Sequence, residues 1–216
     1  MRWARKRSYH GEVKFEAIKR THVNKEVTFL KMDELKRIEG LTLGDRLDAV
    51  RDLFLLGCYT GLRYSDLVRL SDENIGEGVL LVRTKKDEDR LEIPLSTPAK
   101  RIIKKYEGKS LSKISNQKGN DYLKEIAQKA ELSRRVLVTK WDKGKRADKF
   151  VSLSSLVSWH LARRTFITLS LELGMDPAVI IKITGHADIR PPDNSHTKDT
   201  TSSAMPQMYQ KAVVYF

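Results

Sequence analysis

The chain has 216 residues with 41 Lys and Arg against 28 Asp and Glu, a formal charge of +13 at pH 7. That length can bury one sizeable core, and 40% hydrophobic with 32% charged residues excludes wholesale disorder. The single cysteine, Cys58, excludes a disulfide framework and a Cys-based zinc site, no apolar run reaches the roughly 18–20 residues that cross a bilayer, and the basic MRWARKRSYH start has no signal-type apolar region behind it, so a soluble, cytoplasmic protein is expected.

Residues 1–27 lack sustained periodicity and read as a basic arm or linker. Met32 to Ile38 is a short helical pattern closed by Gly40. Asp45 to Tyr59 is a stronger one, with Leu47, Val50, Phe54 and Cys58 at helical spacing and Gly61 ending the run; Ser65 is placed to cap a further turn through Leu70. The period then changes. Val79 to Val82 and Leu91 to Ile93 flank the charged turn Lys85 to Asp89 and read as a β-hairpin. Thr97-Pro98 opens a helix to about Glu107, and Asp121 to Glu131 is an amphipathic helix. Val136 to Val138 and Phe150-Val151 pair as a second hairpin. Ser158 to Leu173 is a long helix ended by Gly174, and Asp176-Pro177 starts another ended by Gly185. The polar stretch Arg190 to Ala204 reads as a loop, and Met205 to Val214 as a short terminal helix. The expected fold is mainly α with a small antiparallel β-sheet.

The charge is segregated. Residues 1–30 carry a net +5 and residues 100–149 a net +10, whereas the rest sums to −2. Such basic stretches are the electrostatic footprint of a polyanion binder, and the alternative is a solvated lysine-rich surface. No Walker-type glycine loop, metal-ligand pair or paired carboxylate motif is present. What stands out is cationic residues set among apolar ones: Arg63 in GCYTGLRYSDL, His160 and Arg163 at i and i+3 in HLARRTF, and His186 after Gly185. Taken singly, each has a plain structural reading: an Arg63–Asp66 ion pair, a shared helix face, a helix C-terminal cation.

Together the motifs resemble the catalytic domain of the tyrosine recombinase (phage integrase) family, most closely the integrases of Bacteroides-type mobile elements. GCYTGLRYSDL, TKKDEDRLEIPLS, HLARRTF and LGMDPAVIIKITGH occur in the family's order over residues 28–186. The resemblance implies site-specific cleavage and rejoining of double-stranded DNA through a 3′-phosphotyrosine, with no metal, cofactor or small-molecule substrate. It implies that Arg63, Arg163 and His186 contact the oxygens of the scissile phosphate, that Lys86 protonates the departing 5′-oxygen, and that His160 assists proton transfer. Asp66 would hold Arg63 in place, while Lys85 and Arg164 would touch the DNA backbone or solvent. Assembly as a homotetramer on paired sites, in a bacterial cytoplasm, is implied in the same way.

Two departures follow. The family's tyrosine comes about nine residues after the last histidine, yet that position here is Ser195, and the next tyrosines are Tyr209 and Tyr215. MPQMYQKAV resembles the nucleophile helix, which favours Tyr209 and makes residues 190–204 a loop insertion. The gap keeps a second reading open, a non-catalytic DNA-binding module of the same fold. The 27 residues ahead of the match are also too few for the family's DNA-clasping N-terminal domain. A catalytic-domain fragment or truncated paralogue is expected, with residues 28–216 as the catalytic domain.

Overall fold

The structure is a computed structural model and describes residues 27–76, 78–83, 90–106, 114–142 and 145–184, with the backbone alone for residues 90 and 140–146. In chain order these form α1 (Met32–Glu39), α2 (Asp45–Thr60), the single turn α3 (Tyr64–Leu67), β1 (Val79–Arg83), β2 (Arg90–Pro94), α4 (Thr97–Lys105), α5 (Asn116–Lys129), β3 (Arg135–Asp142), β4 (Lys145–Ser152), α6 (Trp159–Glu172) and α7 (Pro177–Thr184). The architecture is mainly helical, as expected. Its antiparallel sheet takes the form of two separate hairpins, β1–β2 and β3–β4.

Helix α2 is the centre of the core. The sequence showed one apolar stripe, but Leu53, Phe54, Leu55, Leu56, Gly57, Cys58 and Tyr59 are consecutively buried, so the second half of the helix is enclosed on every side. Helices α1, α4, α5 and α6 pack around it. The tightest approach is at Gly57, where an added Cβ would lie 3.0 Å from Leu67 Cδ1 and 3.2 Å from Ala162 Cβ. One turn later Gly61 ends the helix at φ +69°, a left-handed conformation that an L side chain resists. The glycine also makes room, because a Cβ there would stand 2.5 Å from Phe166 Cδ1 of α6.

Several helix starts differ from expectation because the cap was misplaced. Arg63, not Ser65, occupies the N-cap of α3, which ends at Leu67. Ser96, not Thr97, stands at the N-cap position of α4, without a side-chain cap bond, and the helix ends at Lys105. Helix α5 begins at Asn116, five residues before the apolar period becomes visible, because the Ser115 side chain accepts the Lys118 N–H and opens the helix through polar residues. At α6 the N-cap Ser158 makes no side-chain bond. The Trp159 N–H instead donates to Asn120 Oδ1 at 3.0 Å, so α5 caps α6 across space. Two short 3₁₀ turns, Asp72–Asn74 and Leu153–Leu156, had no apolar period to announce them.

Two buried carboxylates tie the periphery down. Glu34 receives Arg134 Nε at 2.7 Å, and Arg134 Nη2 also donates to the Phe29 carbonyl at 2.7 Å. With Leu30 N–H donating to Thr165 Oγ1 at 3.0 Å, this fixes the segment entering α1 against α6 and the root of β3. Asp52 is enclosed by Arg51 at 2.7 Å, Lys105 at 2.6 Å and the Tyr106 hydroxyl at 3.0 Å. Part of the basic excess over 100–149 is therefore neutralised within the fold.

Candidate active site

The first turns of α6 carry His160 and Arg163, and they meet very different surroundings. Arg163 is 4% exposed. Its Nη1 donates to the Gly61 carbonyl at 2.8 Å and its Nη2 to the Thr184 carbonyl. Gly61 is the C-cap of α2 and Thr184 the last residue of α7, so two helix C-termini converge on one guanidinium. Carbonyls at helix ends lack intrahelical donors and carry the negative end of the helix dipole, which is why a buried cation is tolerated there. The same two bonds fix the chain two residues before Arg63 and two residues before His186.

Arg63 stands at the N-cap of α3, directly after the left-handed Gly61 and the buried Leu62. Its Nη1 atom is buried. Asp66, on the same turn, is 3% exposed and takes a 3.4 Å bond from Ser65 Oγ. Burial, and then the charge of Arg63, draw the Arg163 guanidinium down to about 10, while Asp66 acts in the opposite direction. Two guanidinium groups and one carboxylate thus share an electrostatic neighbourhood with a net positive charge.

His160 lies on the exposed side of α6. Partial desolvation, followed by the charges of Arg164 and Arg163, holds its imidazole below the ordinary 6.5. It is therefore neutral near pH 7 and able to accept a proton. Trp159 braces this end of the helix, with its ring centroid 5.0 Å from that of Tyr64 and 6.4 Å from that of Phe54. Gly119 gives the indole its place, since a Cβ there would meet Trp159 Cζ2 at 2.7 Å.

Of the residues singled out in the sequence, Arg63, Asp66 and His160 each lie within electrostatic reach of Arg163. Lys86, His186 and Tyr209 lie outside the described residues, as do Lys85, Tyr215 and the 190–204 segment. Helix α7 packs on β2, which brings the strand following the Lys86 turn beside the helix preceding His186. Sequence reasoning missed Gly61 and Thr184 as acceptors, because a backbone carbonyl has no residue-type signature. It also missed Asn120 as the cap of α6. Among the described residues no group of three or more His, Cys, Asp or Glu side chains could hold a metal ion, and no helix is long and apolar enough to cross a membrane.

Residues 28–197 match the phage integrase family. The chain belongs to that family. This integrase-family chain is similar to tyrosine recombinase XerD of Pseudomonas putida, 28% identical over 152 residues that cover 69% of the chain and 49% of the relative. It is 33% identical to tyrosine recombinase XerA of Pyrococcus horikoshii over 180 residues, covering 80% of the chain and 57% of the relative. The fold is shared with a lambda integrase dimer bound to a core site, at a TM-score of 0.60 and 18% identity, over 91% of this chain and 71% of that one. The chain spans about half the length of the recombinases it matches.

Proposed function

We propose that this chain is the catalytic part of a site-specific DNA recombinase that cuts and rejoins strands through a 3′-phosphotyrosine on Tyr209. The observation that carries the reading is the pairing of Arg63 with the buried Arg163. Each cation raises the cost of the other, and such an arrangement is offset when an anion sits between them. A scissile phosphate is that anion. Charge builds on its non-bridging oxygens as the phosphorus becomes pentacoordinate, and pre-placed guanidinium groups stabilise that state more than the ground state.

In this reading Tyr209 Oη attacks phosphorus, the O5′–P bond breaks, and Lys86 protonates the leaving 5′-oxygen. His160 takes up the phenolic proton, and His186 adds a contact to the phosphate. Asp66 balances the arginine pair. The tyrosines next to Arg63 are committed elsewhere: burial pushes the Tyr59 phenol up, and the Tyr64 hydroxyl donates to the Ile114 carbonyl. That favours a nucleophile from the C-terminal segment.

The wording of the four motifs supports a Bacteroides-type mobile-element integrase acting as a homotetramer on paired DNA sites in the bacterial cytoplasm. Residues 28–216 form its catalytic domain, residues 1–27 an arm, and residues 190–204 an insertion. The test is covalent capture on a nicked suicide duplex carrying the recombination site. An adduct is expected with the parent chain and none with Tyr209→Phe. An adduct that persists in that variant refutes the nucleophile, and salt-sensitive DNA binding with no adduct favours the non-catalytic module.

A further inference from the structure

We propose that the β3–β4 hairpin is a second DNA-contacting element, a basic ribbon that enters a groove of the duplex beside the cleavage site. The proposal rests on the DNA-acting function above, but none of its residues belongs to the proposed catalytic set.

The two strands pair over eight residues each, from Arg135↔Ser152 to Asp142↔Lys145. At about 3.3 Å per residue the ribbon is about 26 Å long. Only its root is in the core: Val136 is buried and its partner Val151 half-buried. Beyond them Ala147, Asp148, Lys149 and Phe150 are all exposed. Strand β4 runs through the Leu153–Leu156 turn into α6, so the ribbon root precedes His160 by eight residues.

The ribbon's chemistry selects its partner. Its two strands carry five Lys and Arg against two Asp. Directly opposed residues share a face. The register therefore puts Lys140, Lys145 and Lys149 on one face, and Arg135, Trp141, Arg146 and Phe150 on the other. Lysines alone would serve to blunt an unpaired sheet edge. They leave unexplained an aromatic residue 55% exposed with the Arg135 guanidinium 5.2 Å above its ring. Cations for phosphates together with planar apolar groups are what a duplex groove takes up, and the major groove, about 12 Å wide, admits a two-stranded ribbon. A second copy of the ribbon is disfavoured, because two such elements would repel.

Two measurements on the full chain decide the matter. Amine-reactive labelling with and without a duplex of roughly 40 base pairs should protect Lys140, Lys145 and Lys149 severalfold, and equal labelling would overturn the proposal. The triple variant Lys140→Gln, Lys145→Gln, Lys149→Gln should flatten the salt dependence of DNA affinity between about 50 and 200 mM salt by roughly 2–3 in logarithmic slope. An unchanged slope overturns it, as does an unchanged slope with altered self-association, which would assign the ribbon to a second subunit. If the variant does not fold, the labelling of the parent chain decides alone. Failure of the parent chain to bind DNA would refute the recombinase reading itself, whereas intact binding with an unmoved slope refutes only the ribbon.

Discussion

Replacing Gly61 by alanine separates two costs that coincide at one residue. The φ of +69° places it in the left-handed region, which costs an L side chain about 1–2 kcal/mol. The added Cβ would also stand 2.5 Å from Phe166 Cδ1, and overpacking of this kind costs about 1–3 kcal/mol. Together they predict a loss of about 2–5 kcal/mol for Gly61→Ala. Gly174 supplies the control, because its φ is +80° but an added Cβ meets nothing within 4 Å. Gly174→Ala should therefore cost only the backbone share. Urea denaturation with unchanged m-values reads both, and the difference between the variants isolates the contact between α2 and α6. Adding Phe166→Leu to Gly61→Ala should recover part of that difference, a less-than-additive pair. Because the Gly61 carbonyl holds Arg163, Gly61→Ala should also slow adduct formation, while Gly174→Ala should not. Equal destabilisation by the two alanines would refute the packing argument.

Arg163→Lys retains the charge but cannot fork to both the Gly61 and Thr184 carbonyls. Loss of one charged bond, about 1.5–3 kcal/mol, should lower the thermal midpoint by about 3–12 °C and slow strand cleavage about a hundredfold or more. His160 is held below 6.5, so cleavage that needs the neutral imidazole should persist as the pH drops through 6.5 and fail only below it. Arg164→Gln removes one cause of that shift and should move the acid limb of the rate profile upward; an unmoved limb would rule His160 out as the titrating base. In the same range the unfolded chain binds the His160 proton more readily, so His160 makes stability decline as well when the pH falls past 6.5. Glu34→Gln weakens the pair with Arg134, whose guanidinium reaches solvent, and should cost about 1–3 kcal/mol in denaturation. Faster hydrogen exchange at the Leu30 amide should accompany it, since Thr165 holds that segment from the other side.

The sequence alone marked most of the elements and the residue types that stand at the candidate site. Gly61 and Gly174 marked helix ends because only their backbone freedom fits there, and short apolar runs on either side of charged turns marked both hairpins. The order of the arginine and histidine motifs resembles that of the tyrosine recombinase family, and residues 28–197 match the phage integrase family. Tertiary structure decided what those residues touch. Whether Arg163 was a solvated charge or a buried one depended on the convergence of two helix ends, and the carbonyls of Gly61 and Thr184 are invisible to any reading of side chains. Asn120 became the cap of α6, and Arg134 and Lys105 became internal ion-pair partners rather than surface charge. The opening charge of +13 was thereby divided by the fold. Some cations neutralise buried carboxylates, a few crowd around the proposed phosphate site, and Arg135 and Lys149 face solvent on the second hairpin. Net charge is a sum over residues, whereas the task of each charge is set by which low-dielectric or solvent-facing place the packing gives it.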